Sequence, residues 1–203
     1  MEQEEILEIF ENTGALLEGH FLLSSGLHSS QYFQCAKVLQ YPQYAEELAE
    51  DIAGHFNDAD VDFVIAPALG GLIIGHEVAR ALKTRFIFTE RSGEEDVMVL
   101  RRGFDIEVAE KALIVEDVLT TGRSVREVLK LLQKEGAKAV GMGFIVDRSG
   151  GRVKFGLEKY AVLEMPVVTY TPEECPLCAK NIPIERPGSR KKKVFPSSET
   201  DTS

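Results

Sequence analysis

Three short apolar runs separated by helical patterns constrain the fold of this 203-residue chain more than any other feature. The runs occupy residues 63–66, 112–115 and 139–146. A strand without polar alternation is typical of a parallel sheet that is covered on both faces. Helical patterns follow the first two runs, one ending near Lys83 and one spanning 124–135. This alternation predicts βαβ units, and therefore an α/β fold with a central parallel sheet flanked by helices.

The chain divides into three parts. Residues 1–40 predict a small N-terminal hood of the same domain, with a helix, a polar turn and two short strands that form a hairpin. Residues 41–186 predict the α/β core, which begins with a helix of about 14 residues opened by Pro42. Residues 187–203 are rich in Ser, Thr and Lys and offer little to bury, so we expect a disordered tail.

Composition excludes several classes of protein. The chain has 23 basic and 33 acidic residues and a net charge of −10, which disfavours binding to nucleic acid backbones. No apolar run approaches the roughly 20 residues of a membrane span, and the acidic N-terminal segment is unlike a secretory signal. Three cysteines cannot build a disulfide framework, so we expect a cytoplasmic protein. From the charge and the lack of a long apolar run we expect that it binds neither nucleic acid nor membrane.

The chemistry is concentrated at the end of the second apolar run. The strand delivers two adjacent acids, Glu116 and Asp117, to its carboxyl end. A turn of small hydroxyl and glycine residues then opens directly into a helix: Thr120, Thr121, Gly122 and Ser124. A helix N-terminus beside small side chains can bind a phosphate, and the two acids suit sugar hydroxyls. The alternative is an ordinary strand–turn–helix connection with a capping hydroxyl and two solvated acids.

This segment resembles the phosphoribosyl-pyrophosphate motif of the type I phosphoribosyltransferases. The resemblance covers most of residues 1–186, and two further segments are similar to the branch of that family that uses orotate. One is 145–151, which contains Asp147 and Arg148. The other is an N-terminal signature made of Phe21, Leu23, Ser25, Gly26, Ser29, Tyr32 and Phe33.

The resemblance implies transfer of the 5-phosphoribosyl group from phosphoribosyl pyrophosphate to orotate, giving orotidine 5′-monophosphate and pyrophosphate. It implies Mg²⁺ as cofactor, a homodimer, Glu116 and Asp117 as catalytic residues, and Thr120 and Arg148 at orotate. The loop 67–71 corresponds to the segment that approaches the pyrophosphate. The residues implied at phosphoribosyl pyrophosphate are Glu116, Asp117, Val118, Leu119, Thr120, Thr121, Gly122, Arg123, Ser124 and Arg91.

Elementary chemistry supports Arg148 independently. It follows a mostly apolar strand at the same predicted sheet edge as Glu116. A planar guanidinium binds a carboxylate through two parallel hydrogen bonds, which suits a small planar acid. The alternative is a surface pair between Arg148 and Asp147.

Two positions depart from the better-known version of the family. Ser24 stands where that version has a lysine in the N-terminal turn. The mobile basic loop that such enzymes supply across a dimer is also weakened here, with Arg91 as the nearest match and Arg101 and Arg102 as possible substitutes. The pattern resembles a divergent branch of the same family.

Cys175 and Cys178 form a lone C-x-x-C. The pair could supply half a zinc site or a redox couple. The four histidines, at 20, 28, 55 and 76, are distant in sequence, so a complete metal site would need a dimer partner. We therefore predict a structural turn and no metal ligands in this chain.

Two other functions fit parts of the sequence. A phosphoribosyltransferase for a purine base would keep the same phosphate loop under a different hood. A ligand-sensing homologue without catalysis would also keep the loop, and the weakened basic loop is compatible with it. Arg148 and the paired aromatics Tyr32 and Phe33 favour a planar carboxylated pyrimidine instead.

Overall fold

A computed structural model describes residues 1–23, 25–93 and 96–187. Of the predicted tail at 187–203, residues 188–203 lie outside the described residues. The first part of the chain forms α1 (Gln3–Asn12), the hairpin strands β1 (Leu16–Leu22) and β2 (His28–Phe33), a short α2 (Ala36–Leu39) and α3 (Pro42–His55). Helix α3 begins at Pro42, whose fixed φ suits the first helical position, and it buries Leu48 and Ile52. Residues 1–40 thus contain the helix and the two-stranded hairpin expected from their sequence, and α3 begins at the expected residue.

The centre of the molecule is a six-stranded mixed sheet. Its strands and the helices between them are β3 (Phe63–Pro67), α4 (Gly71–Leu82), β4 (Arg85–Arg91), β5 (Met98–Leu100), β6 (Lys111–Leu119), α5 (Arg123–Glu135), β7 (Lys138–Asp147) and β8 (Lys159–Glu164). The strand order is β5-β4-β3-β6-β7-β8, and every pairing is parallel except that of β5 with β4. The predicted α/β architecture is therefore confirmed, with one antiparallel strand at an edge.

Both faces of the sheet are covered, which explains the uninterrupted apolar runs. In β6, Leu113 and Val115 join the core beneath α3 and α4, whereas Ala112 and Ile114 join the core beneath α5. All four side chains are fully buried. Alternate residues of one strand thus enter opposite cores, and neither face of the strand can tolerate polar side chains.

The last elements are β9 (Thr169–Tyr170) and the four-residue α6 (Pro176–Ala179). Strand β9 pairs with β2, so the hood sheet has the order β1-β2-β9 and takes in residues beyond 1–40. The sequence pattern predicts neither β8 nor β9. Strand β8 lies at the sheet edge and buries only Val162 and Leu163, too short a run for the pattern to predict.

The order in which successive strands are added to the sheet reverses at β3 and β6. Strand β4 lies on one side of β3, and the chain then returns to place β6 on the other side. Ligands of open α/β sheets bind at such a switch point, outside the carboxyl ends of the strands. Within the described residues, no helix is both long and apolar enough to cross a membrane.

Candidate active site

Two loops meet at the switch point. The loop 67–71 follows β3, includes a cis peptide between Ala68 and Leu69, and leads into α4. A Cβ atom built on Gly70 would lie 2.6 Å from both carboxylate oxygens of Asp117, which stands near the end of β6. The absence of a side chain at Gly70 therefore allows the loop backbone to approach the second of the two predicted acids.

The paired acids are held in an unfavourable electrostatic environment. Burial raises the pKa of Glu116 to about 8, and the negative charge of Asp117 adds to the effect. The Ser124 hydroxyl and the positive charge of Arg91 act in the opposite direction. Burial also raises the pKa of Asp117, although its Oδ1 accepts a hydrogen bond of 2.9 Å from the Val118 amide. A cation or a set of hydroxyl donors between these groups would favour ionisation of both.

The turn after β6 places a helix N-terminus beside the acids. Helix α5 begins at Arg123, and Gly122 before it has a φ of 70°, in the left-handed region. A Cβ at Gly122 would lie 2.7 Å from the Phe155 ring, so only glycine fits this turn. The side chains of Thr120 and Thr121 are exposed there. First-turn amides of a helix have no intrahelical partners, so this turn offers N–H groups and hydroxyls to an anion.

Arg148 is buried with neutral partners. Its side chain follows β7, is 5% exposed and lies 5.8 Å from the centroid of the Phe33 ring. Its Nη2 donates weak hydrogen bonds to Ser29 Oγ at 3.4 Å and to the Gln31 carbonyl at 3.3 Å. Within the described residues its buried Nε has no hydrogen-bond partner, and no carboxylate lies within ion-pair distance. The alternative pair with Asp147 is absent from these contacts, because Asp147 pairs with Lys159 instead.

A cavity of about 360 Å³ lies between the hood and the sheet edge. Thr120 and Arg148, the two residues predicted at orotate, both line it. Other residues in its wall are Leu23, Ser25, Thr121 and Arg152. The volume falls within the range of small-molecule sites. The structure therefore brings the predicted base-binding residues together next to the predicted phosphate turn.

Three arginines, one each in β4, in α5 and in the segment after β5, are engaged with acids. Arg91 forms ion pairs with Glu127 at 3.1 Å and with Asp96 at 3.5 Å. Arg123 pairs with the same two acids, at 2.8 Å and 3.1 Å. Arg102 makes two hydrogen bonds, of 2.8 Å and 2.9 Å, to Glu90. Arg91, Arg102 and Arg123 are thus all paired with acids in this structure.

Sequence reasoning missed part of this site. Gln31 contacts Arg148 through its backbone carbonyl, which no side-chain pattern can reveal. Arg152 also lines the cavity. Its position four residues after Arg148, at the same sheet edge, is a sequence signal that indicates a place in this site. The expectation that a metal site at Cys175 and Cys178 would need a dimer partner is wrong, because two histidines of the same chain lie beside them.

Comparison with known proteins identifies the class that this fold and site define. The family model "Phosphoribosyl transferase domain" matches residues 36–164, which is more than half of the chain. The chain therefore belongs to the phosphoribosyltransferase family and is an enzyme of pentosyl transfer.

Close relatives narrow the family further. An orotate phosphoribosyltransferase of Chlorobium phaeobacteroides is 53% identical over 94% of this chain and 97% of its own length. One of Caldicellulosiruptor bescii is also 53% identical, over 95% of this chain and 100% of its own. The crystal structure of orotate phosphoribosyltransferase from Aeropyrum pernix superposes with a TM-score of 0.67 at 25% identity, covering 79% of this chain and 93% of that one. The chain belongs to the orotate phosphoribosyltransferase family.

Proposed function

We propose that this protein transfers the 5-phosphoribosyl group from phosphoribosyl pyrophosphate to orotate, releasing pyrophosphate and forming orotidine 5′-monophosphate. The single observation that carries the choice of base is the Arg148 guanidinium, which lies buried at the cavity without a carboxylate partner among the described residues. A buried cation without a counter-charge is costly, and a ligand carboxylate would neutralise it.

The turn 120–124 would bind the 5-phosphate. It combines the N-terminal amides of α5 with the exposed hydroxyls of Thr120 and Thr121. Glu116 and Asp117 precede this turn on β6, so they would meet the ribose 2- and 3-hydroxyls. Hydroxyl donors are the kind of partner that stabilises the charged form of both carboxylates.

The reaction exchanges two bonds at the anomeric carbon. The bond from that carbon to the pyrophosphate oxygen breaks, the bond to the orotate ring nitrogen forms, and the proton of that nitrogen passes to the departing pyrophosphate or to water. Positive charge grows on the ribose ring as the leaving group departs. Carboxylates fixed at Glu116 and Asp117 would stabilise this charge without forming a covalent intermediate, and the cavity would orient the base.

Mg²⁺ is the cofactor we propose. Glu116 and Asp117 fit this ion, because the pair supplies oxygen ligands and a bound cation would offset the cost that burial places on their ionised forms. The two carboxylates would hold it together with the ribose hydroxyls. When bound, it supplies positive charge that neutralises the pyrophosphate leaving group. Arg91 is the residue of this chain that we place nearest the pyrophosphate, and it would have to exchange its present acid partners for it.

We also propose that the enzyme works as a homodimer in the cytoplasm. Leu69 in the pyrophosphate loop is 81% exposed and Ile73 in α4 is 47% exposed, so an apolar surface adjoins the site. Free thiols at Cys35, Cys175 and Cys178 suit a reducing compartment. Sedimentation equilibrium of wild type and Ile73→Glu tests the dimer, which should dissociate in the variant; a wild-type monomer would refute it.

The decisive experiment is a turnover assay with phosphoribosyl pyrophosphate, Mg²⁺ and a panel of bases. We expect orotidine 5′-monophosphate and pyrophosphate in equal amounts with orotate, and little product with uracil, adenine or hypoxanthine. Omission of Mg²⁺ from the assay should abolish turnover. Preference for a purine would favour the alternative base, and binding of phosphoribosyl pyrophosphate without turnover on any base would favour the ligand-sensing alternative.

A further inference from the structure

Four potential metal ligands converge between the hood and the C-terminal segment, and none of them belongs to the acid pair at the switch point. His20, His28 and Cys175 are buried and Cys178 is half-buried. Their ligand atoms, one from each side chain, all lie within 4.8 Å of one another. We refer to these four residues as the His2Cys2 cluster.

The spacing of the ligand atoms matches a tetrahedral coordination shell. With metal–nitrogen bonds of about 2.05 Å and metal–sulfur bonds of about 2.3 Å, a regular tetrahedron places N···N at about 3.3 Å and N···S at about 3.6 Å. The observed N···N distance, from His20 Nε2 to His28 Nδ1, is 3.0 Å. Three of the four N···S distances between these nitrogens and the sulfurs of Cys175 and Cys178 are 3.3, 3.5 and 3.7 Å, and the remaining pairs of ligand atoms lie within 4.8 Å.

Each half of the cluster has a rigid support. The histidines lie on the paired strands β1 and β2, in which Leu22 is opposite His28. Cys175 is the N-cap residue of α6 and Cys178 lies in its first turn, and Pro176 at the first helical position fixes the C-x-x-C bend. Two backbone hydrogen bonds join β1 to the C-terminal segment. The Leu22 amide donates to the Glu185 carbonyl at 2.8 Å, and the Glu185 amide donates to the His20 carbonyl at 2.7 Å.

A hydrogen bond outside the cluster determines which ring nitrogen of His20 carries the proton. Its Nδ1 lies 2.7 Å from the Ile182 carbonyl, which can only accept, so Nδ1 carries the proton. Neutral His20 then presents a lone pair on Nε2 toward the other three ligand atoms. A metal-bound histidine characteristically donates its other N–H to a backbone carbonyl in this way.

We propose that the His2Cys2 cluster is a structural Zn²⁺ site. Two thiolates and two imidazoles at tetrahedral spacing favour Zn²⁺ over Mg²⁺, which prefers oxygen ligands. All four positions of the shell are filled by protein groups, which is the mark of a structural rather than a catalytic zinc. This site is therefore distinct from the proposed Mg²⁺ at Glu116 and Asp117.

The zinc would fix one wall of the base cavity. It joins the hairpin to residues 175–178, which are more than 140 positions away in sequence. His28 precedes Ser29, the hydroxyl partner of Arg148, and the hairpin turn supplies Leu23 and Ser25 to the cavity. Such a cross-link closes a long loop in the chain, and its binding free energy adds to the free energy of unfolding.

The first test is the metal content of the full-length protein, purified under reducing conditions from zinc-supplemented cells. We expect about one zinc per chain by elemental mass spectrometry. Titration of the wild type with a mercurial should release that zinc as two thiols react. Cobalt reconstitution of the apo-protein should give the ligand-field and thiolate charge-transfer bands of a tetrahedral site, a readout that is independent of activity.

The variants Cys178→Ser and His28→Gln should lose most of the zinc, whereas Cys35→Ala and His76→Gln should keep it. Cys35 and His76 lie outside the cluster and control for removal of a thiol or an imidazole. Zinc removal should lower the melting temperature of the wild type by several degrees and leave that of Cys178→Ser unchanged. Wild-type protein that neither contains zinc nor gives the cobalt bands, or zinc that persists in both cluster variants, would overturn the proposal.

Discussion

Gly70 lies so close to Asp117 that a single added methyl group would be 2.6 Å from both carboxylate oxygens. The first residue belongs to the loop after β3 and the second to the end of β6, the two strands that flank the switch point. The loop that would approach the pyrophosphate therefore lies directly against the carboxylate that would bind the ribose. This contact couples the two halves of the proposed substrate site.

Gly70→Ala should impair catalysis more than folding. The added methyl must displace either the loop or the Asp117 carboxylate, and a misplacement of about 1 Å can cost about a hundred-fold in rate. We expect kcat/KM for phosphoribosyl pyrophosphate to fall by at least about ten-fold. Gly54→Ala in α3 is the matched control, because a Cβ there meets no atom within 4 Å. Equal kinetics of the two variants would show that the contact is not functional.

Asp117→Asn should reduce kcat more than it weakens binding. The amide oxygen can still accept hydrogen bonds from the Val118 amide and from a ribose hydroxyl, so geometry and substrate affinity should be largely retained. A neutral group cannot stabilise the positive charge that develops on the ribose, and we expect a loss on the order of a hundred-fold in kcat. Steady-state kinetics and calorimetric titration with phosphoribosyl pyrophosphate measure the two effects separately. An unchanged kcat with a raised KM would contradict this role.

Glu116 should make the apo-protein less stable as the pH rises. Its pKa is about 8 in the folded protein, above its value of 4.5 without burial, so the unfolded state releases its proton first. The contribution of Glu116 to the free energy of unfolding is therefore greatest below pH 4.5 and is lost as the pH rises to about 8. The loss amounts to about 1.4 kcal/mol for each unit of difference between the two pKa values. Glu116→Gln, which cannot ionise, should be the more stable protein at pH 8 by a few kcal/mol.

Urea unfolding between pH 5 and 8.5 measures this difference. The gap between Glu116→Gln and wild type should widen with pH over that window. Glu47→Gln, at an exposed position in α3, controls for the loss of one negative charge. Parallel pH profiles for wild type and Glu116→Gln would mean that Glu116 is solvated in the folded state.

The parts of the structure that follow from local sequence could be predicted, and those that depend on distant contacts could not. The sequence predicts strand β6 and the turn at Gly122, because the apolar run, the acids and the small residues are consecutive. The partners of Arg148 were missed because one is a backbone carbonyl from the hairpin, 117 positions away. The histidine neighbours of Cys175 were missed for the same reason, since His20 is separated from it by 155 residues. Contacts of this range depend on how the hood packs on the core.

Arg148 allows the sharpest test of the proposed substrate. If it binds the orotate carboxylate, Arg148→Ala should raise the KM for orotate and spare that for phosphoribosyl pyrophosphate. A charge-assisted hydrogen bond contributes roughly 1.5 to 3 kcal/mol, which corresponds to about ten- to a hundred-fold. Arg148→Lys should recover only part of the loss, because an ammonium cannot form two parallel hydrogen bonds to a carboxylate.

Two comparisons separate this role from a structural one. Uracil lacks the carboxylate, so wild type should use it poorly and Arg148→Ala should use it no worse. Arg152→Ala removes the other arginine that lines the cavity, and its KM for orotate should change less than that of Arg148→Ala. A melting curve identifies any variant in which loss of the contacts to Ser29 and Gln31 has loosened the hairpin. If Arg148→Ala loses activity on orotate and uracil equally, the residue supports the hood, and the carboxylate must be bound elsewhere in the cavity.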